Sequence, residues 1–459
     1  MDLALLDLLR CPRTGQRLQI DARIDADRSS LRHGILRAAS FRYPVLEGIA
    51  VLTTDCEPLV ALARSERTAE ATAMAAFGHL ERSRLLPFAQ AAAHLRGLGG
   101  LATTFERRVR ARTVDRDVRL LFGPDGSGAL ACDPLEILFL GNRRPSSEGY
   151  HYFRYRFGTP RYLVSLALWD AQPPSSGSVL DVGCGAGHLA WAIGQRPQAG
   201  PVVGIDTAFA QLLAARTIAP EATLVCGDGR SLPVADAAFA RVVSSDVLPY
   251  VAEKISVARE LSRVLHPDGT ITLTALRNAG REHVHGGEPL AAPEWASLFA
   301  ALPERRLLAD DAVLDRYLVG EAPGGLRSEN LESSQTLSII AGHRPTELRR
   351  GNWEQWPHSI GPLAVNPLLE PVGEQPTGTR FVRRFPSDTY RIDNPRIVDY
   401  LPETCVIPHG VLSPPGPVAA LRTPGEQLAA ASPDQREQLL ARIALLAMPN
   451  PKTMPRPRR

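Results

Sequence analysis

Along the middle of this chain short apolar runs recur, and each closes on a polar or acidic residue. Val179, Leu180 and Val182 form the first; Val202-Val-Gly-Ile-Asp206, Leu224-Val-Cys-Gly-Asp228 and Ala240-Arg-Val-Val-Ser-Ser-Asp246 follow. Runs this short and this apolar predict parallel strands buried on both faces. Arg259 to Thr274 reads as a helix, a Pro267-Asp268-Gly269 turn and a fifth strand. Thr336-Leu-Ser-Ile-Ile-Ala341 alternates polar and apolar until Ile340 and predicts the last strand of the sheet. Five strand–helix units in series predict an α/β fold around a mostly parallel sheet.

Outside this core the pattern changes. Leu5 to Leu9 starts helical, Cys11 to Leu18 turns into a strand, and Phe41 to Leu52 reads as two short strands about a Glu47-Gly48 turn. Residues 57 to about 122 are rich in alanine, leucine and arginine at helical spacing, clearest over Glu57 to Ala75 and Leu85 to Leu95. Leu135 to Leu140 fits a strand or a short buried helix. Gly149-Tyr-His-Tyr-Phe-Arg-Tyr-Arg-Phe-Gly158 alternates aromatic and basic residues just ahead of the first core strand. It reads as a lid over a ligand site or, alternatively, as a half-buried strand. The tail is proline-rich. Ser432-Pro-Asp-Gln435 has the capping residue, first-turn proline and reciprocal glutamine of a helix start, and Leu439, Leu440, Ile443 and Leu446 to Ala447 follow as one apolar face.

At 459 residues the chain exceeds one ordinary domain. The expected division is a small module over 1–56, a helical cap and lid segment over 57–159, the α/β core over 160–345, a C-terminal accessory domain over 346–448 and a disordered tail over 449–459.

Candidate chemistry concentrates at the first core strand. Asp181 stands two residues before Gly183, and Gly183, Gly185 and Gly187 let the backbone bend close to a ligand. A dinucleotide fingerprint needs a third glycine where this chain has His188, and it places a pyrophosphate over the turn. Asp181 would repel that anion and would hold an ammonium. Asp206, nineteen residues beyond Gly187, ends the second strand where a carboxylate suits both hydroxyls of a ribose. Asp228 ends the third strand and suits an adenine amino group. Taken alone, each of these aspartates also fits a helix cap or a turn.

In register, D-V-G-C-G-A-G at Asp181 to Gly187, the G-D-x-x-x-L-P-V-x-D-x-x-F run at Gly227 to Phe239 and R-V-L-x-P-x-G at Arg263 to Gly269 resemble the class I S-adenosylmethionine (SAM)-dependent methyltransferases, closest to the ubiquinone and menaquinone biosynthesis branch. The resemblance covers roughly residues 160 to 345. It implies a Rossmann-like seven-stranded class I core, here with a small N-terminal α+β module, a helical insertion and a C-terminal extension, and a last strand that runs antiparallel. It implies S-adenosyl-L-methionine as cofactor, with Asp181 at the methionine amino group, Gly183, Cys184 and Gly185 in the loop, Asp206 at the ribose, Asp228 and Gly229 at the adenine and Ser245 near the methionine end. The first fifty residues resemble the small activator protein of tRNA and protein methyltransferases. Its metal-binding relatives carry more cysteines than the Cys11 and Cys56 present here, so a metal-free module is expected.

The other features narrow the setting. Net charge is only +3, and 50 of the 52 basic residues are arginine, a composition that gives no mandate for DNA. No run of eighteen apolar residues is present, the start lacks the marks of a signal peptide, and the six cysteines include no C-x-x-C pair. A soluble, reducing, cytoplasmic setting is expected, with no metal site and no membrane partner; oligomeric state is left open. A methyl transfer needs a base only for some acceptors. Candidates are His151, Asp246, Tyr250, His283 and His285, with Tyr250 standing where related enzymes often carry histidine. The leading reading is a methyltransferase acting on a small-molecule acceptor at O, N or C. An RNA or protein methyltransferase and a non-catalytic SAM-binding scaffold are the alternatives. The missing N-P-P-Y-type tetrapeptide after the fourth strand counts against the amino-methylating nucleic-acid and glutamine enzymes.

Overall fold

The computed structural model describes residues 1–78, 99–125, 130–131, 136–138, 147–283, 286–323, 329–349, 356–411 and 431–449. The expected helix over Leu85 to Leu95, the tail beyond Pro449 and His285 lie outside the described residues. Of the ambiguous Leu135 to Leu140 run, residues 136–138 are helical.

The chain opens with four strands: β1 (Gln19–Ala26), β2 (Leu31–Ala38), β3 (Phe41–Leu46) and β4 (Ile49–Val51). Helices α1 (Glu57–Arg64), α2 (Thr68–Phe77), α3 (Gly99–Phe122), α4 (Ser147–Tyr155) and α5 (Pro160–Asp170) lead into the core. One helix was expected over Glu57 to Ala75; it is broken between α1 and α2, where Glu66 takes φ +60°. The core runs β5 (Val179–Val182), α6 (His188–Gly194), β6 (Val202–Asp206), α7 (Phe209–Ile218), β7 (Thr223–Cys226), β8 (Phe239–Ser245), α8 (Lys254–Val264), β9 (Leu265–Arg277), α9 (Ala292–Ser297), β10 (Glu304–Ala309), α10 (Asp310–Leu318), α11 (Glu329–Ser333) and β11 (Thr336–Gly342). The Pro267-Asp268-Gly269 turn is an irregularity inside β9: pairing with β8 jumps from Phe239↔Leu265 to Arg241↔Thr270.

Seven of these strands follow the order β7-β6-β5-β8-β9-β11-β10. β5, β6, β7, β8 and β9 pair in parallel, and β11 runs antiparallel to both β9 and β10. The sequence reverses direction at β5, so the carboxyl ends of β5 and β8 flank the switch point where open α/β sheets bind ligands. The sheet does not stop at seven strands. β4 pairs in parallel with β7 (Ala50↔Val225, Val51↔Cys226), and β3, β2 and β1 continue it outward as an antiparallel meander to make eleven strands.

Beyond β11 the chain forms β12 (Leu363–Val365), β13 (Leu369–Gln375), β14 (Gly378–Arg383), α12 (Asp388–Asp393), α13 (Ile397–Tyr400), β15 (Thr404–Pro408), α14 (Pro433–Ala441) and β16 (Leu445–Ala447). Ser432 and Gln435 close the expected capping box at the start of α14. The apolar face expected to continue along that helix does not. Ile443 takes φ +52° and turns the chain into β16, which pairs with β12. Leu446 and Ala447 are therefore strand residues.

Two hydrophobic clusters hold this together. One joins β1 to β4, α1, α2 and α8 to the sheet; the other joins α5, α6 and α10 to the C-terminal segment. Polar ties reinforce the second: Tyr400 donates to the Gly158 carbonyl at 2.7 Å, and buried Arg196 binds Asp170 and the Pro357 carbonyl. Among the described residues no helix is long and apolar enough to cross a membrane.

Candidate active site

The glycine turn is built by backbone geometry. Gly183 takes φ +73°, and a Cβ there would stand 2.3 Å from Val247 Cγ2, so only glycine lets β5 turn beneath the loop that follows β8. Gly187 takes φ +79° as the residue that opens α6, where a Cβ would crowd Ala215. The Gly183 and Cys184 amides donate to the Ile205 carbonyl at 2.8 and 3.1 Å, tying the loop to the end of β6. Gly183→Ala is expected to destabilise the fold by roughly 1–3 kcal/mol through crowding; a thermal midpoint equal to that of the parent would contradict this geometry.

Above this turn lies a cavity of about 600 Å³. It is lined by every residue expected to touch a cofactor: Asp181, Gly183, Cys184, Gly185, Asp206, Asp228, Gly229 and Ser245. Asp181 is only 2 % exposed, and its Oδ2 has no hydrogen-bond partner. Burial, with the neighbouring Asp206 charge behind it, pushes its pKa up to about 7. Asp206 accepts from the Gly185 amide (2.9 Å) and the Ala208 amide (2.8 Å), so it shapes the loop as well as facing the cavity; burial raises its pKa too. Asp228 is bound by the Arg230 backbone amide and guanidinium, which hold its pKa below the ordinary value. Cys184 lines the cavity, but its thiol packs against Gly204 in the core, and burial keeps it protonated.

The segment Gly149 to Gly158 is helical, not a strand. α4 and the short turn Arg156–Gly158 after it put Tyr152, Phe153 and Arg156 on the cavity wall. His188, at the position where a dinucleotide fingerprint has glycine, anchors this segment. Its Nε2 bonds the Phe153 carbonyl at 2.9 Å, and its ring packs on Phe153 and Phe157. Burial, helped by the nearby Arg156 charge, drives the His188 pKa down to about 3, so the ring is neutral.

The candidates for a base are scattered. Asp246 and Tyr250 line the cavity; His151 and His283 do not. His151 sits among Tyr150 and Tyr155, and His283 bonds the Asn278 carbonyl at 3.0 Å. Tyr250 is half exposed, with its hydroxyl bound by Arg277. Asp246, at φ +62°, lies between two arginines: Oδ2 is 3.8 Å from Arg156 Nη1 and 3.8 Å from Arg161 Nη1, and it accepts from the Tyr152 hydroxyl at 3.3 Å. Arg161 is in turn held by Asp393 of α12 through two bonds of 2.9 and 2.8 Å. Arg161 and Asp393 escape a linear reading of the chain, since 232 residues separate them.

Strand order, glycine turn and acidic rim together define a Rossmann-like class I methyltransferase fold, and residues 180–273 match the family described as methyltransferase domain. The chain thus carries a SAM-dependent methyltransferase domain. Over 103 residues it is 31% identical to the demethylmenaquinone methyltransferase of Roseiflexus castenholzii, covering 22% of this chain and 43% of that protein. Over 151 residues it is 32% identical to the ubiquinone biosynthesis O-methyltransferase of Paracidovorax citrulli, covering 29% of this chain and 63% of the relative. The chain therefore spans less than two thirds of either curated relative. Among solved structures it is similar to a complex between the Haloferax volcanii Trm112 methyltransferase activator and a methyltransferase, at 18% identity and a TM-score of 0.32, covering 42% of this chain and 92% of that one.

Proposed function

We propose that this protein transfers a methyl group from S-adenosyl-L-methionine to a small-molecule acceptor. The observation that carries the reading is buried Asp181, which lines a cavity rimmed by two further aspartates and has one carboxyl oxygen without a hydrogen-bond partner. An unpaired buried acid is costly unless a donor or cation meets it, and the ammonium of the methionine moiety is such a cation. On this reading Asp206 receives the ribose hydroxyls, Asp228 and the Gly229 backbone face the adenine, and Ser245 with Arg156 addresses the methionine carboxylate. Arg156 already donates to Ser245 at 3.1 Å, so the two are positioned together.

When bound, the sulfonium supplies an activated methyl group for in-line displacement, which needs no protein nucleophile. The chain's part is alignment and exclusion of water. α4 and its anchor on His188 close one wall of the cavity. His188 cannot take a proton at neutral pH, because burial and the nearby Arg156 charge disfavour its cation and outweigh the bond to the Phe153 carbonyl. Asp246 is the carboxylate beside the lid. Fixed among Arg156, Arg161 and the Tyr152 hydroxyl, it is placed to orient an acceptor or take its proton.

Asp206→Ala is expected to weaken SAM binding by roughly 1–3 kcal/mol, the order of charge-assisted hydrogen bonds. Calorimetry that finds the affinity unchanged would refute the ribose role. The acceptor class is tested by labelled methyl transfer into a cell extract. Label in small molecules that survives ribonuclease and protease supports the reading; label only in RNA or protein overturns it.

A further inference from the structure

Next to the methyl-donor cavity lies a second, much smaller chamber of about 40 Å³. The two share Tyr152 and Arg156 as walls, and α12 with the residue after it closes the far side through Tyr390, Asp393 and Asn394. Three of the residues that line this chamber each carry a buried polar atom without a hydrogen-bond partner: Arg156 Nη1, the Tyr390 hydroxyl and Asn394 Oδ1. The three side chains belong to residues that are 7 %, 7 % and 4 % exposed. Three unsatisfied polar groups on residues that share one chamber are costly unless an occupant satisfies them.

The neighbouring groups are already committed. Arg161 and Asp393 bind each other bidentately. Asn394 Nδ2 donates to the Tyr390 carbonyl at 3.0 Å, which fixes the amide with Oδ1 left over. Arg156 Nη2 donates to Ser245, and Nη1 is 3.8 Å from Asp246, beyond hydrogen-bond reach. Burial pushes the Tyr390 pKa above its ordinary value, so that hydroxyl keeps its proton. Thr159 Oγ1 donates to the Arg156 carbonyl and Ser387 Oγ accepts from the Tyr390 amide, so the buried atoms left without a partner are two donors, Arg156 Nη1–H and Tyr390 O–H, and one acceptor, Asn394 Oδ1.

A hydroxyl group is the complement of that set, with two lone pairs to accept and one proton to give. A carboxylate has no proton for Asn394 and would sit beside Asp393; an ammonium has no lone pair for Arg156. The volume suits a single oxygen-sized group. We propose that this chamber holds a hydroxyl of the methyl acceptor, whose body lies in the larger cavity, and that the C-terminal segment thereby selects hydroxyl-bearing substrates. This rests on the methyltransferase reading of the larger cavity.

The experiment uses the full chain and two calorimetric titrations: S-adenosylhomocysteine first, then catechol, and separately phenol, into that complex. Catechol carries two adjacent hydroxyls, one for the chamber; phenol carries one. Catechol is expected to bind more tightly than phenol, and Tyr390→Phe to reduce catechol affinity by about five- to tenfold with S-adenosylhomocysteine affinity unchanged. Asn394→Ser serves as the second variant, with the same expectation. A crystal of the ternary complex should place one catechol oxygen among Arg156, Tyr390 and Asn394. A water molecule only in the chamber, or catechol affinity equal in parent and variants, overturns the proposal and leaves the cofactor reading standing. Failure of S-adenosylhomocysteine itself to bind overturns the cofactor reading, and the proposal with it.

Discussion

Asp181→Asn is expected to cost roughly 3–5 kcal/mol of SAM binding near pH 8, more than a hundredfold in affinity, while stabilising the ligand-free protein at the same pH. The first figure is the order expected when one partner of a buried ion pair is removed and the other is left without compensation. The second follows from the site itself. In the free protein the Asp181 carboxylate is buried, has an orphaned oxygen and lies near Asp206, and its pKa stands at about 7 against an ordinary 3.8. A raised acid pKa means that the native state holds the proton more tightly than the unfolded chain. Its contribution to stability is full below about pH 4 and is lost as pH climbs through about 7. Asparagine keeps the shape, removes the charge and abolishes that slope. Ligand binding runs the opposite way. The ammonium selects the carboxylate, so affinity for SAM rises from about pH 5 to about 7, close to tenfold per pH unit at the lower end. Melting curves without ligand and calorimetric affinities across this range check both signs. Equal affinities for parent and variant would remove Asp181 from the site.

Much of this site is legible in the chain because it is local. The glycines, the strand-end aspartates and the apolar runs sit within a few residues of one another, and period and turn chemistry report on that scale. The same locality made the Ser432 capping box readable. What stayed hidden depends on distant partners. Nothing near Ala50 shows that it will pair with Val225, nor near Arg161 that Asp393 will hold it. Apolar spacing misled after Leu440, since a helical face and a short strand read alike over so few residues until Ile443 turns the chain. The segment Gly149 to Gly158 stands out in the chain as an unusual aromatic and basic run. Its conformation was not legible, because alternating aromatics satisfy a strand pattern as well as the wall of a helix.

The joint between the first four strands and the core gives the second large expectation: Glu47→Gln should destabilise the protein by roughly 3–5 kcal/mol and leave SAM affinity unchanged. Glu47 sits in the turn between β3 and β4, is 2 % exposed and takes φ +52°. Arg32 binds it from β2 at 3.0 Å, His33 Nε2 donates at 3.1 Å, and Arg216 reaches it from α7 of the core. Burial alone would raise its pKa, yet the hydrogen bonds from His33, Arg32 and Arg216 outweigh that and hold it at about 2. A depressed acid pKa contributes stability that is present above the unfolded value of 4.5 and lost as pH falls through about 2. The parent should therefore lose stability over that acid window, and the variant should not. Glutamine cannot neutralise Arg32 and Arg216, so Arg216 loses its charge partner across the β4–β7 seam, and the thermal midpoint should drop by roughly 3–5 °C. Glu47 lies outside the donor cavity, so S-adenosylhomocysteine affinity of the folded variant should match the parent. An unchanged midpoint would show that the parallel pairing of Ala50 and Val51 with Val225 and Cys226, and the apolar packing around it, hold the seam without this charge cluster.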